Sequence, residues 1–173
     1  MILPGYQLVS RGIIKGVVSA KSQIQPCGVD LTLKRLLAFM NAGVIDADNT
    51  HRKTALTQAI EFTDKKDESS GKILRSLQVK PGSYLVEFNE TVDTPLDIMG
   101  QLYVRSSLFR SGALISAGVM DSGYKGAIGA MLQVVNPHGI VLYENAKLAQ
   151  FVFHQMSEKV EGYSGIYQNK ASL

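Results

Sequence analysis

A chain of 173 residues, 45% hydrophobic and 19% charged, has the composition of a globular protein able to bury a core in one domain. Its formal net charge of +3 suits a small polyanionic ligand, and its basic residues are too scattered for a nucleic-acid surface. One cysteine, Cys27, excludes an intrachain disulfide and a cysteine zinc site; with no signal-peptide pattern at the start and no apolar run of about 18 residues, no membrane span is expected and the cytoplasm is the expected location.

Residues 4–16 contain Gln7-Leu8-Val9 and Ile13-Ile14 and predict a short helix. The remainder of the chain reads mostly as short strands between turn signals. Val29–Phe39 is leucine-rich, with Leu31, Leu33, Leu36 and Leu37. Residues 40–76 are the least patterned: His51–Phe62, with Leu56, Ala59 and Ile60, suggests a helical turn or two. Asp64–Lys72 is a polar run that reads as a solvated hairpin tip or loop. The Pro81-Gly82 turn leads into Tyr84–Phe88, and Gly100–Val104 runs into a pair of serines. Ala127–Val135 reads as a buried strand, followed by Ile140–Leu142 and Leu148–Phe153. Strands at this spacing, separated by Gly, Pro and Asn, predict an all-β barrel or jelly roll with one short N-terminal helix. No repeat or linker divides residues 1–173.

Chemistry concentrates in Arg105–Gly126. Arg105, Ser106, Ser107 and Arg110 are good donors to phosphate oxygens. The two arginines face opposite sides of a regular strand, so a bend or helical turn after Ser107 is needed to bring both to one phosphate chain. Asp121 opens an Asp-Ser-Gly turn and can hold a water as general base. Tyr124 offers a flat face to a sugar or base. Each residue also has a plain reading: turn serines, surface cations, a turn aspartate, a half-buried strand tyrosine. Together they suggest a nucleotide site. His51, His138 and His154 lack metal-ligand spacing, and no phosphate-binding loop with Gly-Lys-Ser/Thr is present.

The same segment resembles two motifs of the dUTPase and dCTP deaminase superfamily. Arg105-Ser106-Ser107-Leu108 with Arg110 is similar to the second motif. Gly118-Val119-Met120-Asp121 with Tyr124 and Gly126 is similar to the third. Ile24–Leu33, with Gly28 and Asp30, resembles the first. Asn145–Phe153, with Gln150, resembles the fourth, and Leu77–Leu108 resembles the strand pair upstream of the serines. Gly162–Lys170, containing Tyr163, Tyr167 and Gln168, resembles the deaminase-type tail. Against this pattern, residues of about 40–76 are a variable insertion.

The resemblance implies a dUTPase-like distorted jelly roll assembled as a homotrimer, with each site built from more than one subunit. It implies hydrolysis of dUTP to dUMP and diphosphate, with Asp121 activating the water. Arg105, Ser106, Ser107, Arg110 and Gln150 would hold the phosphates. Gly118, Met120 and Tyr124 would hold the nucleoside, and uracil would be read by the backbone of Ala113–Met120. Mg2+ is the implied cofactor, with Asp30 near it through water. Two departures stand out. The deaminases carry a catalytic glutamate ten residues beyond the third-motif aspartate, and here that residue is Met131. The glycine-rich closing segment of dUTPases, with its arginine and phenylalanine, is absent. Rival readings are a dCTP deaminase, including a bifunctional one, and a non-catalytic dNTP-binding sensor.

Overall fold

Alternation on long strands builds the core. In the computed structural model, which describes residues Met1–Leu173, the chain runs α1 (Gly5–Ser10), β1 (Ile14–Lys15), α2 (Ala20–Gln23), β2 (Ile24–Gln25), β3 (Gly28–Phe39) and β4 (Thr57–Ile60). It continues through β5 (Thr63–Lys66), β6 (Ile73–Val79), β7 (Gly82–Asp93), β8 (Ile98–Val104), α3 (Ser106–Arg110), β9 (Ala113–Ser116) and β10 (Val119–Met120). It ends with β11 (Lys125–Val134), β12 (Ile140–Tyr143) and β13 (Lys147–Gln155).

The main sheet has the order β10-β8-β13-β3-β7-β11-β9, with β1 on β7 and β2 and β4 on β3. A smaller sheet has the order β12-β6-β5. β3 links the two sides of the curl. Val29–Thr32 pair with β13, and Leu33–Ala38 pair with β7. The result is the mostly β, curled half-barrel expected from the strand pattern, with α1 as its short N-terminal helix.

Val29, Leu31, Leu33 and Leu36 of β3, Val86 and Phe88 of β7, Ile128 and Leu132 of β11, and Phe151 and Phe153 of β13 fill the interior. Each such side chain contributes about 1.5–3 kcal/mol on burial. Leu8 of α1 is fully buried and closes one end. Ile13 and Ile14, expected in that helix, lie beyond it: the helix ends at Ser10 and Ile14 pairs with Val92. No helix is long and apolar enough to cross a membrane.

The helical turn expected within His51–Phe62 is not formed. Thr57–Ile60 is a strand that pairs with Leu36–Phe39, after a Val44–Lys53 bridge. The free edge of β3 offers main-chain partners that outweigh a weak local preference. Asp64–Lys72 does lie at a hairpin: β5 and β6 pair, and Asp67 takes hydrogen bonds from Ser69 and Ser70 at the tip.

Candidate functional site

The second-motif residues sit where β8 turns into α3. Arg105 is still extended (φ −75°, ψ 145°), and Ser106–Arg110 form one short helical turn. The chain therefore bends after Arg105. Arg105 Nε lies 3.1 Å from Asp30 Oδ2, and its Nη1 donates to Lys147 O at 3.2 Å and to Ser107 Oγ at 3.5 Å. Lys147 Nζ lies 3.3 Å from the same Asp30 Oδ2 and donates to Ser22 O at 2.9 Å. Gln25 Nε2 also reaches Oδ2, at 3.3 Å. Asp30 is thus a buried carboxylate shared by two cations. Arg110 is not part of this group; its guanidinium lies 5.8 Å from the Phe109 ring. Ser106 and Ser107 are exposed.

Two local features place these residues. Gly28 lets β13 approach β3, because a Cβ there would stand 2.2 Å from Phe151 O. A bulge between Lys147 and Ala149 then changes the parity of β13. Lys147 and Gln150 are three apart and would face opposite sides of a regular strand. With the bulge they pair with Thr32 and Asp30, which share one face.

Behind Asp30 lies a carboxylate with no cation. Glu90 is fully buried. Its Oε1 accepts from Gln23 Nε2 (2.6 Å) and Thr32 Oγ1 (2.7 Å), and its Oε2 accepts from the Thr32 N–H (2.9 Å). Gln23 Nε2 also donates to Asp30 O at 2.8 Å, so the network fixes the backbone that carries Asp30.

The third-motif residues lie elsewhere. β10 pairs with β8, setting Met120 opposite Gly100, and Asp121 follows at the start of a tight turn. Gly123 takes φ +80° there, a conformation that favours glycine. The turn is clamped by Gly123 N–H to Thr94 O, Thr94 N–H to Tyr124 O, and Ser122 Oγ to Ile98 O. Asp121 is exposed and enters no ion pair. It lines a cleft of about 570 Å3 with Met99, Val119, Met156 and Tyr163. Gly118 is exposed, with open space where a Cβ would stand.

Tyr124 is not an open platform in this structure. Its ring is buried, with the Tyr163 ring edge-on at 5.5 Å, and its hydroxyl donates to Ala127 O at 2.8 Å. Burial pushes that hydroxyl above its ordinary 10.0, and Tyr163 adds to the effect. The covering segment is the tail. Tyr163 N–H donates to Ser122 O, and Gln168 bridges Gly123 O, Tyr163 O and Lys125 N. Asn169 and Lys170 pair with Lys125 and Ala127 along the edge of β11. Leu173 reaches Glu87 and Arg35. Tyr167 is exposed. The tail therefore packs on the Asp121 turn of its own chain.

The two halves stand apart. Met99 borders the Asp121 cleft, and Arg105, six residues on, follows directly after the same strand. At about 3.3 Å per residue this is a separation of about 20 Å. A second cleft, about 460 Å3, opens at the Arg105 end and is lined by Ser107, Ser111, Asn136 and Lys147. Three participants carried no local signal in the sequence: Lys147, Gln25 and Glu90. Their only clue was position: Gln25, Glu90 and Lys147 lie inside the Ile24–Leu33, Leu77–Leu108 and Asn145–Phe153 blocks.

Comparison with known proteins bears on the same segments. The family model for dCTP deaminase-like domains matches residues 6–156. A relative in Methanosarcina mazei, named probable deoxyuridine 5'-triphosphate nucleotidohydrolase, is 38% identical over 159 residues, covering 91% of this chain and 88% of its own. One in Methanocaldococcus jannaschii, named deoxyuridine 5'-triphosphate nucleotidohydrolase, is 36% identical over 151 residues, covering 87% and 90%. In fold, the crystal structure of 2'-deoxycytidine 5'-triphosphate deaminase from Agrobacterium tumefaciens is similar over 88% of this chain, with a TM-score of 0.61 at 18% identity. This chain spans 47% of that longer one.

Proposed function

Because the chain belongs to the dCTP deaminase-like family, we propose that it acts on a deoxynucleoside triphosphate and that its reaction is hydrolysis of dUTP to dUMP and diphosphate. The observation that carries this choice over deamination is Met131. It lies on β11 opposite Ser116 of β9, beside the Ala113–Met120 segment assigned to uracil. Deamination needs a proton carrier at the exocyclic amine, and a thioether is only a weak acceptor. Asp121, a carboxylate open to a cleft, supplies what hydrolysis needs.

In this reading Asp121 orients and deprotonates a water for attack at the α-phosphorus. Arg105, Ser106, Ser107, Arg110 and Gln150 hold the phosphates and offset charge on the leaving diphosphate. Gly118, Met120 and Tyr124 border the nucleoside. A base must lie within about 2.6–3.2 Å of the proton it takes. The two halves of one chain are about 20 Å apart along β8, which supports a site completed between subunits of a homotrimer. Tyr163, Tyr167 and Gln168 belong to the tail that covers Tyr124, so sugar binding at Tyr124 goes with displacement of Tyr163.

The residues fit Mg2+ in one way. No group of three acidic, histidine or cysteine side chains forms a cage, and Asp30 Oδ2 already serves two cations. Asp30 Oδ1 has none of these contacts and can accept from a water on an ion that the triphosphate itself chelates. Such an ion would neutralise phosphate charge. A cytoplasmic setting completes the proposal.

The test is to incubate purified protein and Mg2+ with each dNTP separately, following diphosphate release and deamination together. Diphosphate release from dUTP alone is expected. Conversion of dCTP to dUTP or dUMP at a comparable rate overturns the monofunctional reading.

A further inference from the structure

We propose that Lys147 is a triphosphate-binding residue, held beside Arg105 by the shared Asp30 carboxylate and facing the cleft that Ser107 borders. The inference rests on the dUTP reading for the identity of the natural ligand, but its polyanion chemistry stands on the structure.

The donor count is the first support. An ammonium has three N–H bonds and a guanidinium five. Lys147 Nζ donates to Ser22 O and lies 3.3 Å from Asp30 Oδ2, leaving at least one N–H without a protein partner. Arg105 Nη1 donates to Lys147 O and Ser107 Oγ and its Nε lies 3.1 Å from Asp30 Oδ2, leaving its Nη2 protons without a protein partner. Both side chains are 28% exposed, so the free donors are not sealed in. Charge is the second support. Two cations share one carboxylate, so this trio carries one net positive charge, and Glu90 behind it is bonded to Gln23 and Thr32 and to neither cation. Asp30, 3% exposed at its side chain, holds the pair rather than neutralising it.

Space and backbone are the third. Lys147 and Ser107 line one cleft of about 460 Å3. The bulge after Lys147 turns its side chain toward the face of β3 that carries Asp30, the face that Gln150 shares. A bulge beside a cation pair re-aims a side chain in the way such bulges do next to functional sites. Asp30 is then a positioning residue for both cations, while Lys147 and Arg105 touch the phosphates.

The experiment compares wild type, Lys147→Gln and Lys147→Arg by calorimetric titration with inorganic tripolyphosphate and Mg2+, beside dUTP hydrolysis. Lys147→Gln is expected to weaken tripolyphosphate binding about tenfold, the order of one charge-assisted hydrogen bond. KM for dUTP rises by a similar factor, and kcat changes less. Lys147→Arg restores most of both. Lys147→Met keeps the aliphatic stem and replaces the Gln variant if the latter melts well below wild type. Tripolyphosphate binding unchanged in Lys147→Gln overturns the proposal, as does no binding by wild type. So does an Arg variant as weak as the Gln variant, which would mean that packing and not charge is at stake. If tripolyphosphate binding depends on Lys147 while wild type leaves dUTP intact, the proposal stands and the dUTP reading fails.

Discussion

Glutamine at position 90 keeps the shape of the glutamate and removes half of its accepting capacity. Glu90 Oε1 takes Gln23 Nε2 and Thr32 Oγ1, and Oε2 takes the Thr32 N–H. In Glu90→Gln the amide oxygen can stay on the Oε1 side and keep two bonds. Its NH2 then faces the Thr32 N–H, donor against donor, in a fully buried setting. One hydrogen bond to a charged group is lost, about 1.5–3 kcal/mol, and the orphaned N–H costs about 1–3 kcal/mol more. A neutral amide is cheaper to bury than a carboxylate without a cation, which offsets part of this. A net loss of about 2–4 kcal/mol is expected. For a chain of this length each kcal/mol lowers Tm by about 2–4 °C, so a fall of about 4–16 °C is expected. Calorimetry at one fixed protein concentration reads it. Because Gln23 also holds Asp30 O, KM for dUTP should rise in the same variant. A Tm within about 1 °C of wild type refutes the reasoning, because Thr32 N–H would then have another acceptor.

Asp121→Asn should leave Tm unchanged, as the side chain is exposed and unpaired, yet lose about 100-fold or more in dUTP turnover while still binding dUTP; diphosphate release and equilibrium binding measure the two parts. UTP should turn over far more slowly than dUTP, and equal rates would remove Tyr124 from sugar selection. For Glu87, burial pushes the carboxyl up, but hydrogen bonds from Lys34, Arg35 and the Leu173 N–H outweigh it and hold the group below its ordinary 4.5. A depressed folded value gives stability that is present above pH about 4.5 and is lost as pH falls through the folded value. Acid titration of Tm should therefore fall more steeply for wild type than for Glu87→Gln.

Much of the arrangement was readable because it is local. The leucine-rich run Val29–Phe39 marked a strand, and Asp-Ser-Gly marked the turn at residue 121. A bend between Arg105 and Arg110 was suggested by strand geometry, and α3 makes one, though Arg110 does not join Arg105 within the chain. What escaped depends on distant partners. Thr57–Ile60 is a strand because the edge of β3 accepts it, not because its own residues insist. Asp30 meets Arg105 and Lys147 across 75 and 117 positions, and only the bulge in β13 turns the lysine toward it. Tyr124 looked available to a ligand, but Tyr163, far along the chain, covers it. Met131 was visible as a missing glutamate, whereas its place opposite Ser116 required the register of β11 and β9.

The spacing of Asp121 and Arg105 along β8 has a genetic consequence. If neighbouring subunits complete each site, damage to one end of a chain and damage to the other are separable lesions. In the proposed homotrimer, a mixture of Asp121→Asn and Arg105→Ala chains would contain some sites that take an intact aspartate from one variant and an intact arginine from the other. Two inactive preparations, unfolded and refolded together, should then recover activity that neither has alone. Coexpressed alleles of the two kinds should complement, while two alleles hit at the same end should not.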